Sequence, residues 1–183
     1  MITELLIARP VKDDIKSAYS VFEASIADAF EKDGLGHLKT DIAREIEQKK
    51  QQFKLSIDNT DSHTYFLVAK IANDVVGTIS FGPCGDDIKK CTENELDTVG
   101  EMGSIYVLPC FQDKGVASAL IYAITEHLYK SGIKQFCIDS GYKHAQLRWL
   151  RKFGKPYKIV KNYWNENGDH MVWLCNATDY IKK

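Results

Sequence analysis

An α/β protein built as a single domain over residues 1–183 is the architecture this chain predicts, and three observations carry it. Short β-branched or aromatic runs alternate with segments whose apolar residues recur every three or four positions, in the order β, α, α, β, β, β, α, β, α, β, β. No repeat, linker or shift of composition interrupts that order. With 44% hydrophobic and 27% charged residues, and only 12 Gly and 4 Pro, the 183 residues can bury a large core and fit no disordered, collagen-like or low-complexity class.

The elements follow in order. LLIARPV (5–11) reads as a short strand stopped near Pro10. Ile15, Tyr19, Phe22, Ile26 and Phe30 then form the stripe of an amphipathic helix, which Gly34 and Gly36 end. A second helix is predicted to start at Thr40 or Asp41 as N-cap and to carry Ile42, Ile46, Phe53 and Ile57, a thin stripe suited to the surface. YFLVAKI (65–71) and VVGTISF (75–81) flank Ala72, Asn73 and Asp74, a hairpin turn in which Asn and Asp tolerate positive φ. Residues 82–97, with Pro83, Gly85 and five acids, read as a long polar loop. A strand around Val99–Leu108 closes at Pro109. A helix with Val116, Leu120, Ile124 and Leu128 follows and stops at Gly132. KQFCIDS (134–140) is a strand, AQLRWLRKF (145–153) a basic helix ended by Gly154, and KIV (158–160) and HMVWLC (170–175) are two last strands turning at Asn165–Asp169.

Charge and cysteine usage exclude several classes. Lys and Arg (24) nearly balance Asp and Glu (25), so nothing attracts the whole chain to nucleic acid or acidic membranes. The balance is uneven: the stretch from Tyr142 onward is strongly basic and the remainder acidic, a pattern of either a polyanion-binding face or a solvated basic helix. Five cysteines without a CxxC pair support neither a disulfide framework nor a cysteine zinc site. No apolar run has the length of a membrane helix, and the opening MITELLIARPVKDD lacks the features of a leader, so the cytoplasm is the expected compartment.

Chemistry concentrates in one segment. IYVLP (105–109) hands a strand over, through CFQDKGVASAL (110–120), to an apolar helix. At such a junction the free amides of the first helical turn and the positive end of the dipole face outward, while Gly115 and small Ala117 let a phosphate approach the backbone. GxxxxGK[ST] and GxGxxG are both absent, which removes the Walker A loop and the dinucleotide fingerprint. What remains, QDKGVA (112–117), resembles the [QR]xxGx[GA] pyrophosphate loop of the GNAT superfamily of acetyl-CoA-dependent N-acetyltransferases, and the element order resembles that fold over almost the full chain.

The resemblance implies a mixed central sheet of about seven strands flanked by four helices, with strands four and five parallel and splayed. Acetyl-CoA would be the co-substrate, with no metal. Ile105, Tyr106 and Val107 would offer backbone groups to the pantetheine arm, and the amides of Gln112, Asp113, Lys114, Gly115, Val116 and Ala117 would hold the pyrophosphate. Lys114 would add a charged contact and Ser118 would cap the same end. Glu101, eleven residues before Gln112, resembles the general base of several members, and a desolvated cleft would raise its pKa. In a regular strand Glu101, Gly103, Ile105 and Val107 share a face; a bulge at Gly103 would flip that parity.

The family's usual acid, a tyrosine in NxxAxxxYxxxGF, is missing: KHAQLRWLRKFGK (143–155) has Leu150 at that position, Lys143 at the Asn and Lys155 at the Phe. Tyr142, Tyr157 and Tyr163 lie near in sequence and are the candidates for a relocated acid. Cys110 has no histidine placed beside it, and His37, His63, His127, His144 and His170 show no metal-ligand spacing. Trp149, Trp164 and Trp173 read as core or rim aromatics.

The leading expectation is an N-acetyltransferase acting on a primary amine of a small molecule, peptide or protein by direct attack in a ternary complex. The alternative is a catalytically weak or inactive CoA-binding module, which the missing tyrosine favours. The acids of 82–97 would suit a cationic amine. The expected partner is that amine, with neither membrane nor nucleic acid, and with room for a homodimer.

Overall fold

The computed structural model describes residues 4–59 and 62–181. Residues 1–3 of the opening segment and 182–183 of the basic tail lie outside them. Seven strands, β1 (Leu6–Ala8), β2 (Tyr65–Ile71), β3 (Asp74–Gly82), β4 (Glu101–Val107), β5 (Gln135–Ser140), β6 (Lys158–Val160) and β7 (His170–Asn176), make one sheet in the order β1-β2-β3-β4-β5-β7-β6. Every neighbouring pair is antiparallel except β4 and β5, which run parallel and share a single register pair, Glu101 with Cys137. Beyond that pair the two strands part, as expected from the resemblance.

The helices are α1 (Ile15–Lys32), α2 (Lys39–Asp58), α3 (Asp86–Cys91), α4 (Val116–Lys130) and α5 (Lys143–Phe153). On one face of the sheet, here the front, α1 and α2 cover β2–β4 through Phe22, Phe53, Phe66 and Val68. Their rings meet edge-on at 5.7 Å (Phe22–Phe53) and 5.2 Å (Phe53–Phe66), worth about 0.5–1.5 kcal/mol per pair beyond burial alone. On the back, the Val116, Leu120, Ile124 and Leu128 stripe of α4 packs on Ile79, Met102, Phe136 and Trp173, with Trp149 and Phe153 of α5 beside it. A third cluster joins Ile88 and Cys91 of α3 to Cys137 and Val172 on the front of β5 and β7.

Two expectations change. Residues 82–97 do not form one long loop: they hold α3, which makes five α-helices among the described residues where four were expected. Gly85 enters it in an extended conformation, Asp86 and Asp87 occupy its first turn, and Lys89 and Lys90 its last, so the charges complement the helix dipole while Ile88 and Cys91 are buried. The second helix starts at Lys39, with Leu38 as N-cap and no side-chain cap, so Thr40 and Asp41 lie within its first turn. The glycine stops behave as expected at α1, where Gly34 has φ +74° and Leu35 N–H donates back to Phe30 at 2.8 Å.

Candidate active site

β4 contains a bulge. Thr78 pairs with Tyr106 and Ser80 with Gly103, so Ser104 and Ile105 together stand opposite Ile79. The left-handed residue is Ser104 (φ +49°), not the glycine before it. Parity flips there. Glu101, Gly103 and Tyr106 share the front, while Met102, Ile105 and Val107 belong to the back, in place of the regular alternation of Glu101 with Ile105 and Val107. The Thr78 hydroxyl donates to the Ser104 carbonyl at 2.8 Å and holds the bulge. The Ser104 hydroxyl oxygen is the single buried side-chain N or O atom without a hydrogen-bond partner among the described residues. Burying a hydroxyl unpaired costs about 1–3 kcal/mol.

Glu101 starts β4 at the last point where β5 is paired. Its Oε2 accepts the Gly85 N–H at 2.7 Å, and a Cβ on Gly103 would lie 3.1 Å from Oε1, so the glycine keeps that side of the carboxylate clear. Burial, and then the nearby charge of Asp139 on β5, raise its pKa from 4.5 to about 7; the Gly85 amide and Lys49 of α2 pull the other way. The register of β5 and β7 brings Asp139 next to buried His170. Trp164 Nε1–H donates to His170 Nδ1 at 3.0 Å, so the ring proton sits on Nε2 and donates to Asp139 Oδ2 at 2.8 Å. Spacing alone joins neither Asp139 nor His170 to Glu101, because the parallel β4–β5 pair and the antiparallel β5–β7 pair bring them together from distant segments.

At the other end of β4, a short 3-10 turn (Pro109–Phe111) leads to the 112–115 loop and α4. Asp113 (φ +58°) and Gly115 (φ +85°) are left-handed. Gly115 is the N-cap, no side chain caps the helix, and a Cβ built on Gly115 would meet nothing within 4 Å. Val116 is buried in the core, so only its backbone faces the loop, while Asp113, Lys114, Gly115 and Ser118 are exposed and Ala117 half-buried. Lys114 lies over the Phe111 ring, 5.5 Å from its centroid. Gln112 is tied inward: its Nε2 donates to Asp28 Oδ2 and to the Val107 carbonyl at 3.2 Å each, and its Oε1 accepts from Lys32 at 2.9 Å. Ser25 of α1 also donates to that carbonyl, at 2.9 Å.

The basic helix is not simply solvated. Arg148 lies 3.5 Å from Asp113, and Lys152 Nζ donates to Ser118 Oγ at 3.3 Å, so two cations one helical turn apart border the α4 terminus. Partial burial lowers the Lys152 pKa. Their i, i+4 spacing was the signal in the sequence; what was missing was the packing that turns that face toward residues 112–118.

The three tyrosines are engaged elsewhere. Tyr142 OH donates to Glu45 Oε2 at 2.6 Å, beside Tyr106 OH on Oε1 at 2.9 Å; Tyr157 OH donates to Glu95 at 2.6 Å and Tyr163 OH to Asp87 at 2.7 Å. All three phenols have raised pKa values, Tyr142 and Tyr163 chiefly from burial and Tyr157 chiefly from its bond to Glu95. Cys110 is exposed in the 3-10 turn. Among the described residues no three His, Cys, Asp or Glu side chains are grouped to hold a metal ion, and no helix is long and apolar enough to cross a membrane.

A family model of the acetyltransferase (GNAT) family matches residues 26–154, from α1 to the end of α5. No curated protein matches the chain in sequence. Solved structures do match in fold: a protein of the GNAT family from Desulfovibrio desulfuricans (14% identity, TM-score 0.70, covering 95% of this chain and 99% of that one). The PaiA N-acetyltransferase of Thermoplasma acidophilum in complex with coenzyme A is similar at 12% identity and TM-score 0.66, covering 93% and 99%. An N-acetyltransferase from Staphylococcus aureus Mu50 is similar at 16% identity and TM-score 0.64, covering 96% and 99%. With a seven-stranded sheet parted between β4 and β5 and a family match over most of its length, the chain belongs to the GNAT acetyltransferase family.

Proposed function

We propose that the protein transfers the acetyl group of acetyl-CoA to a primary amine by direct attack in a ternary complex, in the cytoplasm. One observation carries the reading: the gap between β4 and β5 has a carboxyl with a pKa of about 7 at one end and an uncapped helix terminus flanked by cations at the other. The seven residues of β4 alone extend about 20 Å along this gap, a length of the order of an extended pantetheine arm. The residues suit that ligand. Asp113 to Ala117 offer amides to the pyrophosphate, whereas the Gln112 amide, expected among them, donates to the Pro109 carbonyl at 3.3 Å; Ser118, Lys114, Arg148 and Lys152 surround the loop, and the stretch Ile105–Val107 borders the path of the arm.

Acetyl-CoA supplies an activated acyl group with a thiol leaving group. The chain's task is to orient it and to deprotonate the amine. Glu101 is matched to that task, because a base with a pKa near 7 is about half ionised at neutral pH and basic enough to take an ammonium proton. Its fixed Oε2 and the clear side at Gly103 leave Oε1 for the amine or for one intervening water. The front of the gap is where the amine would enter, with Asp139 and Asp87 near Glu101 favouring a cation.

Free-thiol release from acetyl-CoA with a panel of amines tests the reading. Release that depends on one amine class supports it; acetyl-CoA binding without release from any amine would favour the binding-module alternative that Leu150 suggests. Two further outcomes follow from the geometry. Arg148→Ala and Lys152→Ala are each expected to weaken CoA affinity by roughly tenfold and to flatten its salt dependence, as measured by calorimetry at two ionic strengths. Unchanged affinity in both would detach α5 from the phosphate site. Tyr142→Phe, Tyr157→Phe and Tyr163→Phe are each expected to lower turnover less than Glu101→Gln does, because each phenol proton is committed to a carboxylate and a CoA thiolate leaves without a positioned acid. A single Phe variant that halts turnover with acetyl-CoA binding intact would identify a relocated acid.

A further inference from the structure

Trp164, in the turn between β6 and β7, is 54% exposed, so burial does not account for the place of its indole. Two contacts do. The ring edge lies on the backbone of Gly141, just after β5, where a Cβ would come within 2.3 Å of Nε1. Its Nε1–H donates to buried His170 at Nδ1, 3.0 Å away. An indole nitrogen can only donate, so a proton on Nδ1 would set N–H against N–H, and this bond holds the imidazole in its Nε2–H form. Nε2–H in turn donates to Asp139 Oδ2 at 2.8 Å. The sheet puts this chain of bonds beside the base: Cys137 pairs with Glu101, Asp139 follows on the same front face, and Val172 and His170 share that face on β7. Glu101 also faces Asp87 of α3, Lys49 of α2 and the Cys84 and Cys137 thiols, whose raised pKa values keep them neutral. Tyr163 packs beside His170 at 5.1 Å, its phenol proton bound to Asp87.

We infer that Trp164 is a positioning residue of the active site: through His170 it keeps Asp139 oriented as an unneutralised anion opposite Glu101. The role of Glu101 as base rests on the acetyl-transfer reading above. Without the indole donor, Nδ1 is free to take a proton, and an imidazolium against Asp139 would cancel the charge that, after burial, most holds the proton on Glu101. A surface turn thereby sets the pH at which the base works. That turn has a firm frame of its own: Trp164 N–H donates to the Gly168 carbonyl at 3.0 Å, and Gln146 Nε2 donates to the Asp169 carbonyl at 2.9 Å.

The test compares wild type with Trp164→Phe, Asp139→Asn and Gly141→Ala. The first keeps a ring against Tyr163 but loses the donor, the second keeps an acceptor for His170 but loses the charge, and the third pushes the indole from its seat on the β5 end. The carboxyl carbon of Glu101, labelled with carbon-13 and assigned by its loss in Glu101→Gln, should titrate near pH 7 in wild type and about one pH unit lower in each variant, with no ligand present. The pH at which turnover rises should move by the same amount. Nitrogen-15 spectra at pH 6 should show a larger fraction of His170 with both ring nitrogens protonated in Trp164→Phe and Gly141→Ala than in wild type. An unmoved Glu101 titration in the folded variants, or a moved one with unchanged His170 nitrogens in Trp164→Phe, would overturn the inference. Lower turnover with an unmoved pH profile would do so too, because it would mark a structural role. If no amine releases thiol while the Glu101 titration still moves, the acetyl-transfer reading fails and the coupling of Trp164 to Glu101 stands.

Discussion

Replacing Gly115 by glutamate is expected to abolish acetyl-CoA binding while leaving a folded protein. The glycine sits at φ +85° as the N-cap of α4, and a Cβ there would enter open space. The fold therefore bears only backbone strain of about 1–2 kcal/mol, small against a typical stability of about 5–15 kcal/mol. The ligand would bear far more, since a carboxylate would occupy the hollow and bring negative charge to the amides that would hold a pyrophosphate. Gly115→Ala carries the strain and the Cβ without the charge, and an intermediate loss is expected for it. Calorimetric affinity in Gly115→Glu equal to wild type would remove the loop from the binding site.

Glu101→Gln is expected to lower turnover by roughly 10² to 10⁴ with acetyl-CoA affinity nearly unchanged, the range usual for loss of a general base. In wild type the rate should rise with pH through an apparent pKa of about 7, and in the variant that rise should vanish. Stability gives an independent readout. An unfolded chain releases the glutamate proton near its ordinary value of 4.5, whereas the folded protein holds it to about 7. Between those values the folded state binds more protons, so this group's contribution to stability declines as pH rises through the interval and stays constant above it. The glutamine variant cannot ionise. Its melting temperature relative to wild type should therefore climb between pH 4.5 and 7 and then level off. A flat difference together with retained activity would assign the proton to another group.

Much of this was legible because the chemistry and the local pattern coincide. The loop 112–117, its position between a strand and an apolar helix, and the apolar stripe of α4 were readable residue by residue, and the structure places Gly115 at the turn as its type implied. Residues 82–97 misled because polarity and Pro83 mask a six-residue helix whose only apolar positions, Ile88 and Cys91, are too few to show a period. Gly103 pointed to the bulge, yet the residue that bends is Ser104, since the glycine is needed instead for its missing Cβ beside Glu101. The tertiary partners were beyond reach. Asp139, His170, Arg148 and Lys152 acquire their places from β5–β7 pairing and from α5 lying against α4, contacts between segments that carry no trace of one another.

A crystal structure of the protein with acetyl-CoA tests the central claim most directly. The expected result is density for the pyrophosphate on the amides of residues 113–118, with Arg148 and Lys152 beside it, and for the arm running between β4 and β5 to a thioester next to Glu101. Phosphates bound away from the α4 terminus, or an unaltered β4–β5 gap with saturating ligand, would contradict it.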